Sequence, residues 1–305
     1  MKKQLIALFL GIASILSFVS CNKYEESMYN KSDYQIRYIW HKSKTGDPNE
    51  TFTYDKHHML TSITITDTSD ISDLRTDAFE FSYNKDKTVK SISYNNGAIT
   101  EVIEFAYLNK YVKYISYSVN GQVYMISNFY RDNEKAAKIT RIVETYEREF
   151  FEEMSTQCHA QLFDYFIGNR QRIMDLMSGS QYKGLSLYCT KTVTYEGENI
   201  TMITEDYPDL RKSVLTTMTY SNILNPYHGL NYVYSKDLLG FSKNMPLSKI
   251  TAIYYDKELA DAETQEFSYP DVNKDKYPRI YTTSSSKTEG ISFKTYINYN
   301  SEYKK

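Results

Sequence analysis

A short unit recurs along this chain and limits what it can fold into. Phe52-Thr53-Tyr54-Asp55 leads to Leu60 and Ile63, Phe81-Ser82-Tyr83-Asn84 to Val89 and Ile92, and Phe105-Ala106-Tyr107 to Val112 and Ile115. Thr194-Tyr195-Glu196 leads to Ile200 and Ile203, and Phe267-Ser268-Tyr269 to Tyr277 and Ile280. Each unit reads as a strand closed by tyrosine, a polar turn, and a second strand carrying isoleucine. Such a pair cannot bury its own face, so neighbours must pair side by side. The variable spacing points to a meander of similar hairpins rather than a strict solenoid. Alternation supports strands elsewhere too. Tyr34, Ile36, Tyr38 and Trp40 share one face by period, as do Phe79, Phe81 and Tyr83, and Ile99, Ile103, Phe105 and Tyr107. Asn96-Gly97 and Asn120-Gly121 are strong hairpin signals, because a type I′ turn needs positive φ at both central residues. The second lies between two apolar-aromatic runs, 111–119 and 122–130. The 31 tyrosines, against one tryptophan, lean the same way, since tyrosine suits half-buried pleated surfaces.

One segment breaks this pattern. From about Thr145 to Ser178, β-branched residues thin out, and Phe151, Met154, Cys158, Leu162 and Phe166 recur at helical spacing. Gly168 can cap one helix, Asn169 can start another, and Ser178-Gly179 can end it, with Ile173, Leu176 and Met177 continuing the apolar face. The expectation is a helical hairpin or bent helix that covers one sheet face. A lid over a cavity is the alternative. The expected fold is therefore mainly β: an antiparallel meander curving into a partial barrel or sandwich, with a helical insertion at about 145–178, in one domain over 34–305.

The N-terminus is of another kind. Lys2 and Lys3 precede an apolar run from Leu5 to Phe18, too short to span a bilayer in comfort. With small residues ahead of a cut, this reads as a secretory signal over 1–20. Phe18-Val19-Ser20-Cys21 resembles a lipobox, with Phe18 in place of the usual leucine, so Cys21 is the expected lipidation site. Acyl chains there would anchor the protein, at about 0.8 kcal/mol per buried CH₂. Residues 21–33 are polar and read as a tether. Asn22 is not aspartate, so inner-membrane retention is not indicated, and Lys23, Glu25 and Glu26 loosely resemble an acidic export tag. The expected address is the outer membrane, on the cell surface in preference to the periplasmic face.

The units from Phe52 to Tyr269 resemble tyrosine–aspartate repeats. With the lipobox, the Asn225-Pro226-Tyr227 loop and the late Phe267-Ser268-Tyr269…Tyr277-Pro278 stretch, the layout resembles a family of β-rich lipoproteins of unknown function from Bacteroides-type bacteria. The likeness covers most of the mature chain and consists of strand and turn chemistry. It implies a fold and an address, and no activity.

Chemical motifs are sparse. No Gly-x-Ser-x-Gly, His-Glu-x-x-His or glycine-rich phosphate loop is present. A net charge of −2 gives no footprint for nucleic acid. His57 and His58 fall in an expected turn, and Asp271-x-Asn273-x-Asp275 opens like a calcium loop but puts Lys276 where glycine is needed. Ser284-Ser285-Ser286-Lys287 lacks the partner motifs of a serine–lysine enzyme. No metal and no cofactor is expected. Cys158 and Cys189 remain beside Cys21 in an oxidising compartment, where a disulfide and two buried thiols are both open to them. Tyr227, His228, Tyr232 and Tyr234 cluster after an Asn-Pro turn and are the candidate ligand-binding residues, with packing of a sheet edge as the plainer role. The leading function is a non-catalytic binding or scaffold module for a glycan, a peptide or an envelope partner. A carrier of lipid or another apolar ligand is the alternative, and a hydrolase the third.

Overall fold

The computed structural model describes residues 35–41, 48–67, 75–109, 111–133, 138–147, 161–168, 187–228, 238–288 and 290–299. Sixteen strands follow one another: β1 (Ile36–His41), β2 (Glu50–Tyr54), β3 (Leu60–Asp67), β4 (Arg75–Tyr83), β5 (Val89–Asn95), β6 (Thr100–Leu108), β7 (Tyr111–Val119) and β8 (Gln122–Tyr130). After β9 (Arg141–Tyr146) comes a short helix, α1 (Gln161–Phe166). Then follow β10 (Leu187–Glu196), β11 (Asn199–Tyr207), β12 (Lys212–Leu224), β13 (Asn244–Tyr255), β14 (Glu258–Val272), β15 (Pro278–Ser285) and β16 (Ser292–Tyr299).

Each strand pairs antiparallel with the next, and β16 returns to β1 from Ile36↔Tyr299 to His41↔Thr295. The meander is as expected, but it closes into a full barrel rather than a partial barrel or sandwich. Closure pairs the two strands that would otherwise be sheet edges, with their rows of unpaired backbone groups. That pairing joins opposite ends of the chain, and no local pattern signals it.

The register sorts side chains cleanly. Inward, one row runs Phe81, Ile92, Ile103, Tyr117, Met125, Tyr146 and Leu187 across seven strands, and all seven are buried. Outward, a row runs Thr53, Ser62, Glu80, Ser93, Val102 and Ser118, and another runs Ser82, Ser91, Glu104, Ser116 and Ile126. Hydroxyls pair across strands on this outer wall, Ser82 with Ser91 at 2.7 Å and Thr219 with Ser248 at 2.8 Å. Among the described residues no helix is long and apolar enough to cross a membrane, so any crossing would fall to the strands.

One hydrogen bond recurs at the rim where the chain enters and leaves. Tyr54 donates its phenol to the carbonyl of Ile36, Tyr83 to Leu60, Tyr107 to Val89, Tyr220 to Ile200, Tyr269 to Pro246 and Tyr299 to Pro278. In each case a tyrosine near the end of an even-numbered strand ties down the start, or near-start, of the preceding strand. Tyr195 hydrogen-bonds the backbone of Ile139 just ahead of β9. At β8 the phenol is replaced by Arg131, whose Nη1 donates to the Val112 carbonyl at 2.7 Å. The turn between β2 and β3 is set by Asp55, whose carboxylate accepts the backbone N–H of His57 and of Met59. Tyr107→Phe should therefore lower stability by about 1 kcal/mol, as expected for one hydrogen bond to a backbone carbonyl. Equilibrium urea unfolding reads this directly, and an unchanged midpoint would mean that the phenol contributes nothing.

Several local expectations change. A register shift between Ile36 and Tyr38 breaks the alternation, so Ile36 and Ile39 face the core while Tyr38 and Trp40 lie outside. Asn120 and Gly121 both take positive φ, as a type I′ turn requires, whereas at Asn96-Gly97 only the glycine does. There Asn96 Oδ1 accepts the N–H of Ala98 and of Ile99, which makes a longer loop and keeps Ile99 out of the strand. Ile280 pairs with Asp271 instead of joining the row of Phe267, because the register shifts after Ser268. Thr145 and Tyr146 belong to β9, so the insertion begins later than expected. Of its apolar stripe, Leu162 and Phe166 are buried on α1, Gly168 closes the helix by donating its N–H to the Phe163 carbonyl at 3.1 Å, and Phe151, Met154, Cys158, Asn169, Ile173, Leu176 and Met177 lie outside the described residues. The helix packs inside the barrel rather than over a sheet face. The signal segment 1–20, Cys21 and the tether 21–33 also lie outside the described residues.

Candidate functional site

The lumen near the opposite rim is built around carboxylates. Glu101 is in the inward register of Ile103, Phe105 and Tyr107, and it is fully buried. Its Oε2 accepts the Tyr117 phenol at 2.7 Å, and its two oxygens accept the backbone N–H groups of Gln161, Leu162 and Phe163 at 3.1, 3.2 and 3.4 Å. The carboxylate thus takes up donors that the first turn of α1 leaves without intrahelical partners. Burial pushes its pKa up to about 7, against the opposing effect of these hydrogen bonds. Glu50 holds the other side of the helix, accepting the Tyr165 phenol at 2.6 Å and facing His41 Nε2 at 3.1 Å. Aromatic contacts complete the seat. Phe163 meets Tyr117 at 5.2 Å and Tyr146 at 6.4 Å between centroids, and Phe166 meets Phe79 at 5.3 Å and Phe81 at 6.0 Å.

A second polar cluster lies on β8 to β11. Register places Ser127, Glu144 and Cys189 in one inward row and Ile142, Lys191 and Glu205 in the next. Lys191 Nζ sits 3.0 Å from Glu144 Oε2 and 3.9 Å from Glu205 Oε2. Glu144 also accepts the Tyr146 phenol at 2.5 Å and the Ser127 hydroxyl at 3.3 Å, while Glu205 accepts the Tyr207 phenol at 2.9 Å. Burial, then the charge of Glu144, holds the Cys189 thiol far above its usual range, so it stays protonated and is no nucleophile. Cys189 is a buried free thiol, and Cys158 lies outside the described residues.

The Asn225 loop closes the terminal rim. Asn225 Oδ1 accepts the Tyr227 N–H at 2.9 Å, and its Nδ2 donates to the Ser242 carbonyl at 2.8 Å. The turn puts Tyr227 inside, 5% exposed and part of the hydrophobic core, where its ring is spent on packing. His228 is exposed, and Tyr232 and Tyr234 lie outside the described residues. His57 and His58 are exposed in their turn. Asn273 accepts the N–H of Asp275 and of Tyr277, which makes that stretch a polar turn with Lys276 at φ 66°. Among the described residues no group of three His, Cys, Asp or Glu side chains is placed to hold a metal. Ser285 faces inward, where its hydroxyl donates to Glu263 at 2.5 Å and accepts the Lys287 backbone N–H at 3.1 Å.

Sequence reasoning passed over the residues that dominate the lumen: Glu101, Glu144, Lys191 and Glu205. The signal was present. Ile142-x-Glu144-x-Tyr146 and Ile203-x-Glu205-x-Tyr207 each place a carboxylate in an otherwise apolar alternating register. On a strand of this period the charge must share the buried face.

No family model and no curated protein matches this chain. Solved structures do. A porin-like protein from Bacteroides uniformis superposes with a TM-score of 0.50 at 12% identity, over 87% of this chain and 96% of its own. A porin-like protein from Bacteroides vulgatus gives 0.40 at 11% identity, over 74% of this chain and 97% of its own. At such identity the first likeness speaks for the barrel fold alone.

Proposed function

We propose that the chain is an exported, non-catalytic binding module, held at the outer membrane by lipid on Cys21, whose barrel stands in water beside the bilayer rather than spanning it. The observation that carries this reading is the direction of the alternation. Barrels that span membranes put apolar residues outward and polar residues inward. Here the buried inward rows are built mainly of isoleucine, phenylalanine and tyrosine, and the outer wall carries serine, threonine and glutamate, with Tyr114, Ile126, Tyr130, Tyr188 and Ile250 exposed among them. Glu80, Glu104 and Glu266 lie near the middle of their strands on the outer wall, where a bilayer would surround them. On the side walled by β2 to β9 the lumen is packed with protein, since α1 sits there with Phe163 and Phe166 at 0% and 1% exposure.

The same packing weighs against the carrier reading, because an acyl chain needs an empty apolar chamber and the apolar side of this lumen is occupied by α1. Against a hydrolase, the buried carboxylates of Glu101, Glu144 and Glu205 are engaged with phenols, backbone N–H groups and an ammonium inside the wall. Kinship with the β-rich lipoproteins of Bacteroides-type bacteria belongs to this proposal, supported by the lipobox and the hairpin units. The chain from Asn22 onward keeps every strand of the barrel. It should run as a single species in size-exclusion chromatography without detergent and should give no conductance in planar bilayers. A requirement for detergent, or stepwise ion currents, would overturn the reading.

A further inference from the structure

The lumen is not filled evenly. Along β3 to β9 the inward side chains of Ile63, Ile92 and Ile142 are at 0% exposure. Across β14 to β16 the inward register carries Asp261, Glu263, Gln265, Ser285 and Phe293 instead, and none of these is buried. Asp261 continues the row of Glu205, Val214 and Ile253, and Phe293 stands beside Thr283 in the row of Phe267. An inward side chain of a closed barrel that still meets solvent borders open lumen. Phe293, at 44% exposure, is an aromatic face turned toward that opening.

We propose that this opening, at the rim opposite the chain ends, binds a neutral saccharide. The inference rests on the reading of the barrel as a water-facing module. Three features of the lining point to sugar. Charge is balanced at the site: Asp261 pairs with Lys287, and the inward row of Gln265 carries Lys249 next to the row of the Glu263 carboxylate, so no net charge is left to demand a charged ligand. Glu263 and Gln265 are held in place before a ligand arrives, because the Glu263 carboxylate accepts the Ser285 hydroxyl at 2.5 Å and the Gln265 amide at 3.1 Å. Planar carboxylate and amide groups of this kind suit vicinal hydroxyls, and preorganisation spares the ordering cost. Phe293 supplies a flat apolar surface for the C–H face of a ring. A peptide bound by strand addition would need a free strand edge, and the closed barrel has none. A lipid tail would desolvate Glu263 and Gln265 without returning hydrogen bonds.

Saturation-transfer NMR on the chain from Asn22 onward tests this, with maltohexaose, cellohexaose and xylohexaose as probes. Transfer to at least one is expected. Phe293→Ala should weaken that binding at least about tenfold by removing the stacking surface, and Glu263→Gln should weaken it too, while Tyr188→Ala on the outer wall should leave it unchanged. No transfer to any of the three from a detergent-free, monomeric chain would overturn the proposal and leave the water-facing barrel intact. So would binding that survives Phe293→Ala and is lost in Tyr188→Ala. A chain that is soluble only in detergent would instead fail the functional reading on which the proposal stands.

Discussion

Lys191→Ala should destabilise the barrel by about 3–5 kcal/mol, the usual cost of removing one partner from a buried ion pair. Glu144 is at 0% exposure and faces the Lys191 ammonium at 3.0 Å, while Glu205 approaches the same ammonium at 3.9 Å. Without the cation, two carboxylates face each other across β10 with phenols and a serine hydroxyl left to solvate them. Hydrogen bonds from neutral donors offset only part of that cost. The control is the double variant Glu144→Gln with Lys191→Met, which keeps volume and removes both charges. It should recover part of the loss, because replacing a buried pair with neutral groups is often close to neutral, while Glu205 keeps its charge with the Tyr207 phenol as donor. The amide oxygen that Glu144→Gln introduces would still accept from the Tyr146 phenol. Urea unfolding of Glu144→Gln, Lys191→Met and the double variant closes a mutant cycle, with Lys191→Ala measured beside it. A loss under about 1 kcal/mol in Lys191→Ala, or a double variant no better than the single, would mean that the lysine only fills space.

What the sequence makes legible follows from the range over which each interaction acts. Hairpins are local, so the run of aromatic-x-Tyr and Ile located Tyr54, Tyr83, Tyr107, Tyr195 and Tyr269, the residues whose phenols reach backbone at the terminal rim. The same hydrogen bond from Tyr220 and Tyr299 was missed, although Met218-x-Tyr220 and Ile297-x-Tyr299 keep the apolar-x-Tyr pattern of Val193-x-Tyr195. Closure was illegible for a different reason. The register of Ile39 against Ile297 depends on strand number and stagger summed around the whole barrel, and no window of sequence contains it. The lumen was legible in a different way. Tyr227 was a candidate for ligand stacking with packing as its plainer role, and the Asn225 turn aims it into the core. Glu101 and Glu144 went unnoticed, although each interrupts an apolar register. A charge in a buried register was the more informative signal, since burying it without partners would cost several kcal/mol.

The stability of the wild-type barrel should fall relative to that of Glu101→Gln as pH rises from 5 to 8. Unfolded, the Glu101 carboxyl titrates near 4.5; folded, burial raises it to about 7. Between these values the folded chain holds a proton that the unfolded chain has released. Folding is then favoured at the acid end, and the advantage disappears as pH passes 7. A raised carboxyl pKa thus contributes stability that is complete below pH 4.5 and absent well above 7. The window from pH 5 to 8 spans most of it, worth about 2–3 kcal/mol at 1.36 kcal/mol per pKa unit. Glutamine cannot titrate but keeps an oxygen to accept the N–H groups of Gln161, Leu162 and Phe163, so the difference between the two proteins isolates this one group. The opposite slope is the informative failure. Four donors point at the carboxylate, the Tyr117 phenol and three backbone N–H groups, and each favours the charged form. If their sum exceeds the desolvation cost, the wild type gains on Glu101→Gln with rising pH, and α1 is seated by an ion rather than by a neutral acid. A flat difference would mean that desolvation and hydrogen bonding cancel at the N-terminus of α1.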